Sequence, residues 1–183
     1  MLIGLTGSKA GGKGEVSDIL KEKGFLYESL SDRVREEAVK RGMENYTVKE
    51  LQNIGDELRR KFGDGIWAKK TLEKVDVGKN YIIDGIRNLG EIEELKKSEN
   101  FILIAVDAPQ KVRFERILKR ARISDPKDWE TFLEMDERDI KSKEQSGQEV
   151  GKCMEMADVK IFNSGSLEEL KDEIRKTLEN LGV

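Results

Sequence analysis

Gly7, Gly12 and Lys13 are spaced as G-x-x-x-x-G-K, a pattern with which a chain can surround a polyphosphate. Glycines let the backbone turn with its N–H groups inward, the positive end of a following helix reinforces them, and the lysine adds a point charge. Ser8, Gly11 and Gly14 complete the run, so these six residues are candidates for holding nucleotide phosphate. Gly14 stands where a metal-binding hydroxyl is usual, and Glu15 follows it. A carboxylate facing the site would repel phosphate unless a metal lay between them, whereas one facing outward would favour the helix N-terminus. The sequence leaves both directions open for Glu15.

A second set of chemical residues closes the apolar run Tyr81-Ile-Ile, which ends in Asp84-Gly-Ile-Arg87. The end of a parallel strand is where ligands bind in α/β sheets, which makes Asp84 a site candidate, with a capping role as the plainer reading. Further along, Arg113, Arg116 and Arg120 recur at i, i+3 and i+7, and three cations on one helix edge repel unless an anion sits between them. Arg122 and Arg138 flank a short segment that could close over phosphate and exclude water. The chain has no histidine, so proton transfer and metal binding fall to carboxylates, lysines and backbone. Zinc-hydrolase and Ser/His-triad chemistry are thereby disfavoured.

The elements that must position these groups follow from periodicity. Met1–Thr6 reads as a buried strand, and Glu15–Lys23 as a helix with Val16, Ile19 and Leu20 on one face. A short strand is expected at Phe25–Tyr27, then a helix from about Asp32 to Arg41 capped by Ser31 and stopped by Gly42. Thr47-x-x-Glu50 is a capping box ahead of Leu51, Ile54 and Leu58, and another helix is expected from Trp67 to about Val75. Residues 32–76 are therefore helical and lie between strands, with Arg59 and Arg60 able to reach an anion or simply forming a solvated face. The unbroken run Phe101–Val106 predicts a strand covered on both faces. After it, Val112, Phe114, Ile117, Leu118 and Ala121 predict the inward face of a helix over 109–122. Asp125-Pro126 predicts an N-cap with proline at the first helical position, and residues 121–140 read as a short lid. A fifth strand and turn occupy 157–165, followed by a closing helix with Leu167, Leu170, Ile174 and Leu178.

At 183 residues with no long polar linker, the chain is sized for one domain over 1–183. Its 34 basic and 37 acidic residues are interleaved and the net charge is only -3, which argues against a nucleic-acid or membrane surface. A single cysteine, Cys153, and no apolar run approaching the ~20 residues of a membrane span predict a cytoplasmic protein.

Gly12-Lys-Gly14 resembles the phosphate loop of adenylate kinases. Ser31-Asp32-x-x-Arg35 resembles the segment after the second strand of nucleoside monophosphate kinases, whose Asp and Arg begin the acceptor-binding helix. Asp84-Gly-x-Arg87 is similar to the turn that carries a magnesium-holding acid and an acceptor-binding arginine in that group, although its usual proline is missing. Arg116-Ile-Leu-Lys-Arg120 is similar to the arginine pair heading the adenylate kinase lid, one packing on the base and one meeting the transferring phosphate. Ile3-Gly-Leu-Thr-Gly7 and the stretch from Ala157 through Asn163 to Leu167 resemble dephospho-CoA kinases, in which the latter turn lies by the adenine. A second Asp expected there after Asp32 is absent.

The resemblance implies a three-layer α/β/α P-loop kinase sandwich with a five-stranded parallel sheet, a helical acceptor-binding insertion and a short lid. It implies ATP and Mg2+ as cofactors and a small-molecule nucleotide as substrate, with Lys13, Asp84, Arg87 and Arg120 catalytic and Asp84 holding the metal. By the same resemblance the phosphate loop through Glu15, with Arg116 and Asn163, holds the donor, and Asp32, Arg35, Arg59, Arg87 and Arg138 meet the acceptor. No nucleic-acid or membrane partner is expected, and the chain is a monomer or homodimer. The acceptor is expected to be a nucleoside or deoxynucleoside monophosphate, with dephospho-CoA as the alternative. Were it a sugar hydroxyl, Asp32 would be the candidate base. A nucleotide-sensing module with little turnover is the reading from another class, prompted by Gly14 and Glu15.

Overall fold

The computed structural model of the chain describes residues 1–122, 125–140 and 148–183. Its frame is a parallel sheet of β1 (Leu2–Thr6), β2 (Leu26–Ser29), β3 (Tyr81–Asp84), β4 (Phe101–Asp107) and β5 (Val159–Phe162), in the order β2-β3-β1-β4-β5. Strand β1 takes the middle because every one of its residues is buried, while β2, with Leu26 and Tyr27 partly exposed, lies at an edge.

Alternation along β1 sorts the core into two layers. Ile3 and Leu5, with Ile82 of β3 and Ile104 and Val106 of β4, face α1 (Lys13–Glu22) and α9 (Leu167–Asn180) through Val16, Leu20, Ile174 and Leu178. Leu2, Tyr81, Ile83 and Leu103 face the other way. There they meet α2 (Leu30–Lys40), α3 (Val48–Phe62), α4 (Ile66–Leu72), α5 (Leu89–Leu95) and α8 (Val150–Glu155). Trp67 anchors that layer fully buried and donates its indole N–H to the Gly55 carbonyl at 3.2 Å, so its one polar atom is satisfied. Burying each such large apolar side chain contributes about 1.5–3 kcal/mol. This is the α/β/α sandwich with a five-stranded parallel sheet that the sequence predicts.

Helices α2, α3 and α4 occupy the stretch between β2 and β3. The capping box at α3 forms as expected, with Thr47 N–H donating to Glu50 at 2.7 Å and Glu50 N–H donating to the Thr47 hydroxyl at 3.2 Å. Three local expectations are corrected. Strand β2 continues through Ser29, so Ser29 rather than Ser31 caps α2, accepting from the Ser31 amide at 3.2 Å. Helix α7 (Trp129–Ile140) starts later than Asp125-Pro126 implies, and its first turn is closed by Asp128, which accepts from the Thr131 amide at 2.8 Å. On α6 (Gln110–Arg120), Leu118 faces solvent at 46% exposure whereas Arg113 points inward. The inward face of α6 therefore carries a paired cation that its apolar pattern does not show.

Helix α5 goes unpredicted, although Asn88 and Glu91 form its capping box. Of the lid span 121–140, residues 123 and 124 lie outside the described residues. No helix among the described residues is long and apolar enough to cross a membrane.

Candidate active site

The loop between β1 and α1 is held open by backbone shapes that only glycine adopts freely. Gly7 has φ +132°, and a Cβ there would lie 2.0 Å from the Val106 carbonyl of β4. Gly12 has φ +121° at the N-cap of α1, without a side-chain cap, so the first amides of the helix stay available to a ligand. Lys13 folds back into the loop and donates to the carbonyls of Gly7 at 2.7 Å and Ser8 at 3.0 Å. Burial lowers its ammonium to about 8, against the pull of the Asp84 and Asp107 carboxylates, with Arg87 and Arg113 lowering it further.

Three supports fix this loop. Ser8 is buried and its hydroxyl donates to Asp107 at the end of β4, where Asp107 also accepts from the Ala108 amide. Asn163 donates to the Gly11 carbonyl at 2.9 Å and accepts from Arg116 at 2.9 Å. Arg116 also donates to the Ala10 and Gly11 carbonyls at 3.3 and 3.4 Å. Burial draws the Arg116 guanidinium down from its ordinary value, and Glu15 opposes that shift. Glu15 thus faces Arg116 electrostatically, and it is not among the residues lining the cleft above the loop, whereas Gly14 is.

That cleft encloses about 1730 Å³, part of it open to solvent, and it gathers Lys13, Asp84, Arg87, Arg116 and Arg120 onto its walls. Asp84, at the end of β3, accepts from the Gly85 amide at 2.7 Å and from the Tyr27 hydroxyl at 2.8 Å. Burial first, then the Asp84 carboxylate, raises the Tyr27 phenol well above its usual range, so it stays a donor. Arg120 meets Asp125 in a two-pronged pair, at 2.6 Å from Nε and 2.9 Å from Nη2, and Lys9 of the loop joins the same carboxylate at 3.2 Å. Arg113 does not reach the cleft, being spent on a buried pair with Asp136 of α7 and on the Ala108 carbonyl. The three arginines of the α6 edge therefore go to three different partners. Asp139 of α7 also lines the cleft, its carboxyl raised by burial.

Mg2+ suits a site of this kind, since it is commonly held by one or two carboxylates together with substrate phosphates. No group of three His, Cys, Asp or Glu side chains able to hold a metal exists among the described residues. Asp84 at the end of β3, one of three carboxylates lining the cleft among the described residues, with Asp136 and Asp139 of α7, fits a metal bound chiefly by phosphate.

A second cavity of about 750 Å³ opens beneath α2 and α3, walled by Leu30, Val34, Leu51 and Trp67. Val48, Gln52, Arg87 and Gln148 line both spaces, so the two adjoin at these residues. Arg87 donates to Gln148 at 3.2 Å, and Arg138 donates to Gln52 at 3.3 Å, which brings it to the same junction. Arg35 is at the mouth, paired with Asp32. Asp32 itself lies outside both cavities, on an outer hollow beside Glu36, Val39 and Lys74. Arg59 lies on the inner wall, but its guanidinium is taken up by Asp56 and Glu91, each at 3.1 Å.

The sequence reading missed Tyr27, Asp107, Asp125 and Glu91 as participants. Asp107 had a signal, since it ends a buried apolar run just as Asp84 does. The other three are defined by partners distant in the chain or by a loop.

A sheet in this order with a glycine loop between its central strand and a helix is the fold of solved P-loop kinases. The shikimate kinase of Bacteroides thetaiotaomicron superimposes with a TM-score of 0.67 at 14% identity, over 100% of this chain and 99% of that one. The dephospho-CoA kinase of Campylobacter jejuni does so with a TM-score of 0.61 at 17% identity, over 98% and 96%. Residues 3–142 match the AAA domain family model AAA_18. A UPF0200 protein of Pyrococcus horikoshii is 34% identical over 188 residues, covering 99% of this chain and 97% of that protein. The chain therefore belongs to the UPF0200 family of AAA-domain proteins.

Proposed function

We propose that the protein transfers the terminal phosphoryl group of ATP to a small nucleotide, a nucleoside or deoxynucleoside monophosphate. The observation that carries this reading is the junction at Arg87, where a phosphate-loop cleft and an apolar-walled cavity share one arginine. Phosphoryl transfer asks mainly for positioning and for positive charge around the transferred group. Lys13 and the loop amides hold the donor's phosphates, and Arg120 adds charge from the α6 side. Arg87 serves both reactants, and the leucine and valine walls of the second cavity accommodate a flat apolar face. Mg2+, held by Asp84, would supply charge neutralisation for the phosphates. A monophosphate acceptor presents an ionised oxygen and needs no general base. That agrees with the absence of histidine and with the position of Asp32 away from both cavities.

The test is a coupled ADP-release assay with ATP, Mg2+ and a panel of nucleoside and deoxynucleoside monophosphates and dephospho-CoA. Turnover that depends on a monophosphate and is lost in Lys13→Ala supports the proposal. Turnover with dephospho-CoA alone moves the acceptor class. ATP binding without acceptor-dependent turnover makes the protein a nucleotide sensor instead.

A further inference from the structure

Arg59 was the natural candidate for gripping an anionic acceptor, being a cation on the cavity wall. Its surroundings give it another task. Its side chain is only 9% exposed, and that of its partner Glu91 1%. Glu91 spends its other oxygen, Oε2, on the amides of Arg87 at 2.8 Å and Asn88 at 3.1 Å. One carboxylate thus joins two parts of the molecule. Through Arg59 it holds α3 of the helical insertion, and through two backbone N–H groups it holds the turn that aims Arg87. Glu91 also closes the capping box of α5, so that same turn leads directly into a helix start. A buried carboxylate needs a counter-charge, and Arg59 Nη2 supplies it.

We infer that Arg59 and Glu91 are positioning residues: their buried pair pins the Arg87 turn to the insertion, so that the wall receiving the acceptor and the arginine between the two cavities are set together. The role of Arg87 toward the two reactants rests on the phosphoryl-transfer reading, but the pin itself does not. Of the Arg59 guanidinium, Nη1 is turned to Asp56 and Nη2 to Glu91, while Nε is buried away from solvent, so its charge is committed to these two carboxylates.

The test compares Arg59→Met with the double variant Arg59→Met/Glu91→Gln by amide hydrogen exchange and by kinetics. Arg59→Met strands a buried charge, whereas glutamine in the double variant still accepts both amides through its carbonyl oxygen and needs no counter-charge. In Arg59→Met, protection of the Arg87 and Asn88 amides falls roughly tenfold or more and the acceptor KM rises by about as much. ATP affinity and the amides of β1 and β4 stay within about twofold. In the double variant amide protection returns to within about threefold of the parent, because glutamine still holds the turn, while the acceptor KM stays raised because nothing ties that turn to α3. A double variant whose acceptor KM returns to the parental value overturns the inference, since the wall and Arg87 would then be set without the pair. Unchanged exchange at Arg87 and Asn88 in Arg59→Met overturns it as well. Should Arg59→Met not fold, the double variant decides alone, near-parental amide protection with a raised acceptor KM supporting the pin and a parental acceptor KM refuting it. Should no acceptor be turned over by the parent protein, the proposed function falls while amide exchange still judges the pin.

Discussion

On the proposed donor side of the cleft, what is offered to phosphate is backbone: glycine-shaped amides, a helix start and one lysine, all within fourteen consecutive residues. On the proposed acceptor side the groups offered are side chains drawn from α2, α3 and the turn after β3, and most of those cations are already matched to acids. Arg35 has Asp32, and Arg59 has Asp56 and Glu91. Arg87 has the neutral Gln148 as its side-chain partner among the described residues. The difference is physical. Amides carry no net charge and can wait unpaired at a helix end, whereas a buried guanidinium needs an anion or a rearrangement. A loop of amides is therefore a general phosphate site, and a set of paired arginines selects where the remaining free charge stands.

Four measurements sharpen or break that contrast. The largest effect falls on the donor side: Lys13→Ala lowers acceptor-dependent turnover by about 10²–10³, or ~3–4 kcal/mol, as measured by ADP release. A loss under about tenfold would show that the amides alone suffice.

Next is pH, read as ATP affinity by calorimetry. Free Lys13 loses its proton near pH 8, and phosphate contact raises that value in the complex. ATP affinity is therefore greatest below pH 8 and falls by up to about tenfold per pH unit above it, until the pKa of the complex is reached. Folding has the opposite sign for this group. The unfolded lysine keeps its proton up to the ordinary 10.5, so the cost of burying the charge is full below pH 8 and declines as pH rises from 8 to 10.5. Lys13→Arg removes the affinity slope, and a slope that survives it assigns the titration elsewhere.

On the acceptor side, Arg35→Ala raises the acceptor KM only a few-fold, ~0.5–1 kcal/mol, because that arginine is half exposed and already paired. ATP affinity stays put in the same variant, and a fall in it would erase the division between the two sides. Smallest is Glu15→Thr, whose turnover equals or slightly exceeds that of the parent. A collapse in rate would give Glu15 a catalytic task despite its position outside the cleft lining.

What the sequence disclosed follows the same divide. The phosphate loop could be read because its parts are adjacent and its glycines have one physical use. The central strands could be read because burial on both faces leaves an unbroken apolar run. The pairing of Arg59 could not be read, since its partner Glu91 lies 32 positions away and a cation on an amphipathic helix looks the same whether paired or free. Arg113 hid for the same reason, its partner Asp136 being on another helix. Helix α5 was invisible because seven residues give too few turns for a period, although Asn88 and Glu91 carried its capping signature. Asp125 followed by proline has the form of a cap, and only the folded chain shows that carboxylate occupied by Lys9 and Arg120.

That last carboxylate alters what filling the cleft means. Lys9 and Arg120 are not bare, because Asp125 already plays the part of an anion between them. A polyphosphate that takes these cations trades one negative partner for another, so its grip reflects a difference between two attractions instead of the whole of one. The displaced acid, tethered four residues ahead of α7, is then left without its cations, and the arrival of charge at the phosphate loop is felt at the start of that helix.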